Sequence, residues 1–569
     1  MTDEEGNHLF ISGPPPITLD PNLSAAEFIL SGLRKHNVKS TAQVELETSR
    51  ELTYGHLIRE SLSVVQGLKA EGVGEDSIVA VITFNSQEAH VFILAAFFLG
   101  ATVAPIDPAL TPDEIAYLLD IVSPKIVYTE GGKTLRKVET ALGTLSYTPL
   151  LVVSGRQKHP YTPFQALLQP TDPEFRPSIS KPEEHIAFIL FTSGTTGLPK
   201  GVMLTDFYVL NNIIPVGNQK KPDFQITFFL TSPSFWLTGI ITMFTSLISG
   251  WKMVFVRGPV KDNVILSTIQ NYKINICLLS PTALQGLLVS TYKNAYDLSS
   301  LMLIFTGGST LGADSALKMQ KELFKNRVPV LQVYGMTELG AITMSPPTAN
   351  KPGSVGLLKP GYSCKVEDLE TGEPLGPEIQ GELCIKGSYI MNGYYNNPEA
   401  TAAVFDEDGW FHTGDIGYYD EDGYLYIVDR LKDLIKYKSY HIAPTELENV
   451  LRTHPSVKDV AVFGIPHPTD GDHATAFVVA LRTVTEKELL EFVAERVSKN
   501  KQLRGGIRFV EFIPYTPSGK PKRRTLRAQL IAEMQNSNGA PRPWKTSIRA
   551  KKKAPPNELL NSHVKWRST

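Results

Sequence analysis

Short, continuous apolar runs punctuate the first two thirds of the chain: SIVAVITF at 77–84, PKIVYT at 124–129, HIAFILFT at 185–192, WKMVFV at 251–256, INICLLS at 274–280 and LMLIFT at 301–306. None alternates polar and apolar residues as a half-solvated strand would, and turn residues bound each one. Runs of this kind read as strands buried on both faces, the condition met in parallel sheets covered by helices. The segments between them, such as EAHVFILAAFFLG at 88–100, suit helices packed on such a sheet. The predicted fold class is therefore α/β. No internal repeat with a period of about 20 to 50 residues interrupts the pattern.

From 353 to 429 the texture changes to short strands separated by Gly, Asn and Asp, with Asp408-Gly409 and Asp422-Gly423 as hairpin signals. A β element is expected to close the large domain there. After DRLKDLIKYK, Pro444-Thr445-Glu446 opens a helix, and a small αβ pattern runs through VAVFGIP and ATAFVVAL to about 526–534. With 569 residues the chain is too long for one core. The expected division is a large N-terminal domain of doubly wound sheets plus the β element (1–430), a small α+β domain (431–535) and a basic tail (536–569). In that tail Arg542, Lys545, Arg549, Lys551, Lys552, Lys553, Lys565 and Arg567 face a single acid, Glu558. Disorder is the expectation there, and weak contact with an anionic membrane or a partner is the alternative.

A formal net charge of −2, with 42% hydrophobic and 20% charged residues, describes an ordinary globular chain with no global field favouring nucleic acid. Cys277, Cys364 and Cys384 are widely spaced and form no metal or disulfide pattern, which fits a reducing compartment. The N-terminus lacks a basic region followed by an apolar one, and 240–248 is far too short to span a bilayer. Arg567-Ser568-Thr569 is not a Ser-Lys-Leu type of peroxisomal address, so the expected location is the cytoplasm.

Chemistry enters at FILFTSGTTGLPKGVMLT, residues 188–205, where an apolar strand runs into a loop of small residues, hydroxyls and one lysine. Gly194, Gly197 and Gly201 let backbone approach a ligand closely. Ser193, Thr195 and Thr196 offer donors and Lys200 adds a cation, so the natural guest is a polyphosphate. The spacing is not that of a Walker loop, since only two residues separate Gly194 from Gly197. Further on, Gly307-Gly308 follows a strand and precedes a helix, a usual nucleotide position in an open α/β sheet.

The loop resembles the phosphate loop of the adenylate-forming superfamily, which holds acyl-CoA synthetases, coumarate-CoA ligases and beetle luciferases. The resemblance covers roughly residues 25–530 and is nearest the insect luciferase-like acyl-CoA synthetases. It implies ATP, Mg²⁺ and coenzyme A, with a small-molecule carboxylic acid as the other substrate. It also implies a small C-terminal domain that is mobile. Thr192, Ser193, Gly194, Thr195, Thr196, Gly197 and Lys200 would hold phosphate, and the Gly307-Gly308 backbone would line the adenine and acyl pockets. In Tyr334-Gly335-Met336-Thr337-Glu338, Tyr334 would stack on adenine, Thr337 would donate to the α-phosphate and Glu338 would hold Mg²⁺. Asp415 matches the acid that accepts both ribose hydroxyls, and Arg430 the arginine beside it. Lys432 matches the hinge. Lys520 resembles the lysine that bridges carboxylate and α-phosphate, where two anions must be brought together. Lys436 and His441 match a hairpin that replaces that lysine for the thiol step.

Three departures qualify the match. Ser439 stands where glycine is usual beside the pantetheine channel. Trp236, in Pro233-Ser234-Phe235-Trp236-Leu237-Thr238-Gly239, replaces an aromatic gate or a histidine; beetle luciferases carry histidine there, which argues against light emission. Val333 replaces a glycine in Gln332-Val333-Tyr334-Gly335 at an acyl-pocket position, which crowds a flat hydroxycinnamate more than a flexible aliphatic acid. Asp206 replaces a common histidine and receives no role. The resemblance thus implies ATP-dependent activation of a medium- or long-chain fatty acid to acyl-AMP and then a CoA thioester. Transfer to a carrier-protein thiol and a catalytically weak fatty-acid or nucleotide sensor are the alternatives.

Overall fold

The computed structural model describes residues 9–155, 160–177, 179–192, 199–217, 223–438, 440–516 and 520–536. The chain divides into two compact units after Lys432, except that Lys520, expected in the small domain, groups with the first unit. The apolar runs form strands as their composition dictates. In a seven-stranded sheet, Ile78–Ile82 pairs in parallel with Thr102–Ile106 and Ile126–Glu130, and Ile126–Glu130 with Leu150–Ser154. Ile186–Thr192 joins beside Thr102–Ile106, and Lys200–Thr205 completes that edge in antiparallel sense. A nine-stranded sheet carries Thr227–Leu230, Lys252–Phe255, Ile276–Leu278, Leu303–Gly307 and Val330–Met336 as parallel neighbours.

Helix Gln87–Phe98 shows why these sheets belong to one body. Ser86 caps it by accepting from Ala89 N, and every residue from Ala89 to Phe98 is buried. A helix that is apolar on all sides has no face to give to water. Phe92 stacks on Tyr128 of the first sheet at 4.6 Å, and His90 lies 4.6 Å from Phe255 of the second. Phe97 stacks on Phe188 at 5.4 Å. Each fully buried ring contributes about 1.5–3 kcal/mol of transfer free energy.

The Gly/Asn/Asp-rich stretch forms the expected β element: Tyr362–Glu367, Gly381–Gly387, Phe411–Tyr419 and Leu425–Arg430 pair antiparallel, with Phe10–Ser12 on one edge. Asp422-Gly423 turns the Phe411–Tyr419/Leu425–Arg430 hairpin, with Gly423 at φ +80°.

The small unit has its own core. Strands Val457–His467 and Gly471–Ala480 form a long hairpin. Val460 and Val462 face helices Pro444–Thr453 and Glu486–Ala494, while Ala461 and Phe463 face Leu526 and Leu530 of helix Arg523–Asn536. All three cysteines are free and buried. Residues 240–248 lie within helix Leu237–Ser249, and no helix among the described residues is long and apolar enough to cross a membrane.

Candidate active site

The loop expected to hold phosphate joins two antiparallel strands whose pairing ends with Lys200 opposite Thr192, so this register fixes where the loop leaves and re-enters the sheet. Ser193, Gly194, Thr195, Thr196 and Gly197 lie outside the described residues. A further stretch of backbone runs beside Lys200–Thr205. Asn392 N donates to Met203 O at 2.8 Å, Met203 N to Gly393 O at 3.0 Å, and Tyr395 N to Gly201 O at 2.7 Å. This places the Tyr394 ring 4.8 Å from Lys200 Nζ. The Tyr394 hydroxyl donates to Glu338 Oε1 at 3.0 Å, and Met391 N donates to the Glu338 carbonyl at 2.8 Å. Tyr394 thus links the loop lysine to the signature acid. It was not among the residues singled out from sequence: GYYNN carries only turn chemistry, and nothing local points to position 338.

Glu338 is 7% exposed. Burial raises its carboxyl above the usual carboxylate range, opposed by its own N–H, the Tyr394 hydroxyl and the Arg430 charge. Among the described residues no cation lies within ion-pair distance of it. Thr337, half-buried, is held by its carbonyl, which accepts from Tyr208 Oη at 2.8 Å.

Strand Val330–Met336, third from one edge of the nine-stranded sheet, carries the next group of candidate residues. Val333 lies opposite Gly307 in parallel register, and a Cβ on Gly307 would stand 2.6 Å from the Val333 carbonyl oxygen. Gly308 follows at φ +86°. Gly335 meets a similar limit, since a Cβ there would lie 2.2 Å from Gly340 O. Between these glycines Tyr334 is buried, and its hydroxyl donates to Asp415 Oδ2 at 2.9 Å. Arg430 Nε lies 3.1 Å from Asp415 Oδ1, because the two residues are direct cross-strand partners. The structure therefore brings Tyr334, Asp415 and Arg430 together, and Lys200 and Glu338 together through Tyr394. Trp236 is half-buried at the N-cap of helix Leu237–Ser249, edge-on to Phe235 at 5.6 Å.

On the small unit, Lys436 and His441 are direct cross-strand partners. Both are exposed, while Ile435, Tyr437 and Ile442 turn the other face into the core. Ser439 lies outside the described residues. Lys520 is half-buried and, though it precedes helix Arg523–Asn536 in the chain, groups with the first unit. Lys432 is exposed in the short 3₁₀ turn Leu431–Asp433.

Asp206 has a structural duty that the sequence did not reveal. It is fully buried; Oδ1 accepts from Ala25 N, the first residue of helix Ala25–Arg34, at 2.5 Å, and Oδ2 accepts from His185 Nδ1. His185 Nε2 donates to Gly100 O at 2.6 Å. Burial pulls the imidazole pKa down, but the hydrogen bond and charge of Asp206 outweigh it, and the net shift is upward. With acceptors at both ring nitrogens, the imidazolium is the favoured form.

Residues 33–395 match the family model described as AMP-binding enzyme, and 446–520 match that of the AMP-binding enzyme C-terminal domain. The chain belongs to the AMP-binding enzyme family. It is 36% identical over 545 residues to luciferin 4-monooxygenase of Nipponoluciola cruciata, covering 93% of this chain and 98% of that one. It is 32% identical to peroxisomal OPC-8:0-CoA ligase 1 of Arabidopsis thaliana, covering 91% and 96%. Among solved structures, the anthranilate CoA ligase AuaEII in complex with anthranoyl-AMP superimposes with TM-score 0.82 at 25% identity, covering 90% of this chain and 99% of that one. These matches place the chain in the adenylate-forming CoA ligase superfamily, as an AMP-forming acid–thiol ligase.

Proposed function

We propose that this enzyme activates a medium- or long-chain aliphatic acid as its acyl-adenylate and then transfers the acyl group to coenzyme A. The observation that carries the adenylation half is the pair of linked clusters on the large unit, Lys200–Tyr394–Glu338 and Tyr334–Asp415–Arg430. Arg430 and Asp415 are close enough for their charges to be felt at Glu338. In this reading Asp415 keeps a lone pair on each oxygen for a ribose hydroxyl, and its two existing partners fix their direction. Tyr334 offers a ring face to adenine, and Lys200 and Thr337 address the phosphates.

Glu338 suits Mg²⁺: it is a hard oxygen donor, buried, and without an ion-pair partner among the described residues. A single carboxylate leaves the remaining positions to phosphate oxygens and water, as Mg²⁺ prefers. When bound, the ion offsets negative charge as the two anions approach. Lys520 supplies further positive charge between the acid and the α-phosphate. The acid's oxygen bonds to the α-phosphorus and pyrophosphate leaves. The thiol sulfur then bonds to the acyl carbon, its proton is released to water and AMP leaves; Lys436 and His441 are the residues assigned to this step. Trp236 and Val333 wall the acyl pocket and favour a flexible chain over a flat ring.

ATP–pyrophosphate exchange measured with acetate, octanoate, palmitate and coumarate, with and without coenzyme A, tests this reading. Octanoate or palmitate should drive exchange, Lys520→Ala should reduce it by about 10²–10³, and coenzyme A should yield the thioester. Full exchange in Lys520→Ala would remove its role. Exchange without thioester would point to a carrier-protein thiol, and nucleotide binding without exchange for any acid would point to a sensor.

A further inference from the structure

The geometry points to a transition-metal site on the small unit, formed by His467, Asp470 and His473 and distinct from the nucleotide's Mg²⁺. The long hairpin creates it. Ile465 pairs with His473 and His467 with Gly471, so the two histidines are diagonal neighbours on one face of the ladder. Asp470 occupies the turn between them. One ligand atom from each residue lies within 4.8 Å of the others. His467 Nδ1 and His473 Nε2 stand 3.6 Å and 3.0 Å from the same oxygen, Asp470 Oδ2. Metal–ligand bonds of about 2.0–2.1 Å in a tetrahedron give ligand–ligand edges of about 3.3 Å, so the two nitrogen–oxygen separations already lie near the required spacing.

The surroundings support these ligands. The imidazole rings stack at 3.9 Å with 15° between planes, which holds the two histidines side by side, and a turn of the rings about their side-chain bonds would aim both nitrogens at one ion. The other carboxylate oxygen, Asp470 Oδ1, is backed by Thr469 Oγ1 at 3.4 Å and Lys438 Nζ at 3.7 Å, while Lys438 N donates to the Asp470 carbonyl at 2.7 Å. Such outer contacts orient a ligand, and an ion would take the place of the His473 Nε2–Asp470 Oδ2 hydrogen bond at 3.0 Å. Side-chain exposures of 38%, 22% and 18% for His467, Asp470 and His473 leave an open side for water. Two imidazoles and one carboxylate select Zn²⁺, Co²⁺, Ni²⁺ or Cu²⁺ over Mg²⁺ or Ca²⁺.

A second cluster, Glu367, Cys384 and His412, is less suited, because Lys365 Nζ already stands 2.7 Å from Glu367 Oε1 and supplies the cation. Tag-free full-length protein should be titrated with Zn²⁺ by calorimetry and with Co²⁺ by visible absorption. One equivalent should bind, with cobalt ligand-field bands and no thiolate charge-transfer band. His473→Gln and the milder His467→Gln should each weaken binding more than tenfold while leaving the circular dichroism spectrum unchanged. Equal binding by wild type and both variants, absence of binding in the wild type, or binding that follows Cys384→Ser would each overturn the assignment.

Discussion

Tyr394 carries no charge, yet it ties Lys200 to Glu338. Its hydrogen bond to a carboxylate is of the kind that contributes about 1.5–3 kcal/mol. Tyr394→Phe should therefore lower kcat/KM for pyrophosphate exchange about tenfold or somewhat more, whereas Glu338→Gln should lower it by about 10²–10³. Equal losses in the two variants would mean that Tyr394 does more than orient Glu338. His185 offers a separate check on Asp206. Its folded-state pKa is raised above 6.5, so the ion pair's contribution to stability is full below pH 6.5 and is lost as pH climbs through the raised value. Urea unfolding followed across pH 6 to 9 should show that decline in wild type and a flatter profile in His185→Gln. Lys200, Glu338, Asp415 and Arg430 could be picked out from the sequence because each sits inside a contiguous motif. Tyr394 and the His185–Asp206 pair could not, because their partners are set by strand register and by returns of the chain that local sequence does not encode.

Among the elements, those with a continuous apolar signature were the legible ones. All the runs singled out became strands, and the all-round apolar helix became the buried layer between sheets. The stretch at 392–395 was not legible, since its partners are backbone atoms of Lys200–Thr205 and its side chains follow no period. The strand-to-helix turn at Gly307-Gly308 separates two reasons for glycine. At Gly307 an added Cβ would strike the Val333 carbonyl at 2.6 Å, whereas at Gly308 nothing lies within 4 Å and only φ +86° objects. Gly308→Ala should cost about 1–2 kcal/mol of stability, the usual penalty for a left-handed residue. Gly307→Ala should lower the melting temperature further and reduce exchange, because the central strands must part; thermal unfolding and exchange assays of the two variants compare them directly. The exposed Lys436–His441 pair makes a different forecast. Alanine at both positions should spare exchange but slow thioester formation at least tenfold, and parallel loss of both steps would argue against a separate role for this hairpin.

At the scale of the molecule, two cores are built from different parts of the chain. The clusters around Val460, Val462 and Leu447 and around Phe463 and Leu526 draw only on residues beyond Lys432, and the larger clusters only on residues before it. A fragment of residues 1–432 should therefore fold alone and bind ATP within about tenfold of the intact chain by calorimetry, yet support no exchange. An unfolded fragment on circular dichroism would refute that independence. Proteolytic nicking in the short turn Leu431–Asp433 then has an unusual result. It would leave behind a folded body that still holds nucleotide and yields no product, so a single cut there would silence the enzyme without destroying its larger half.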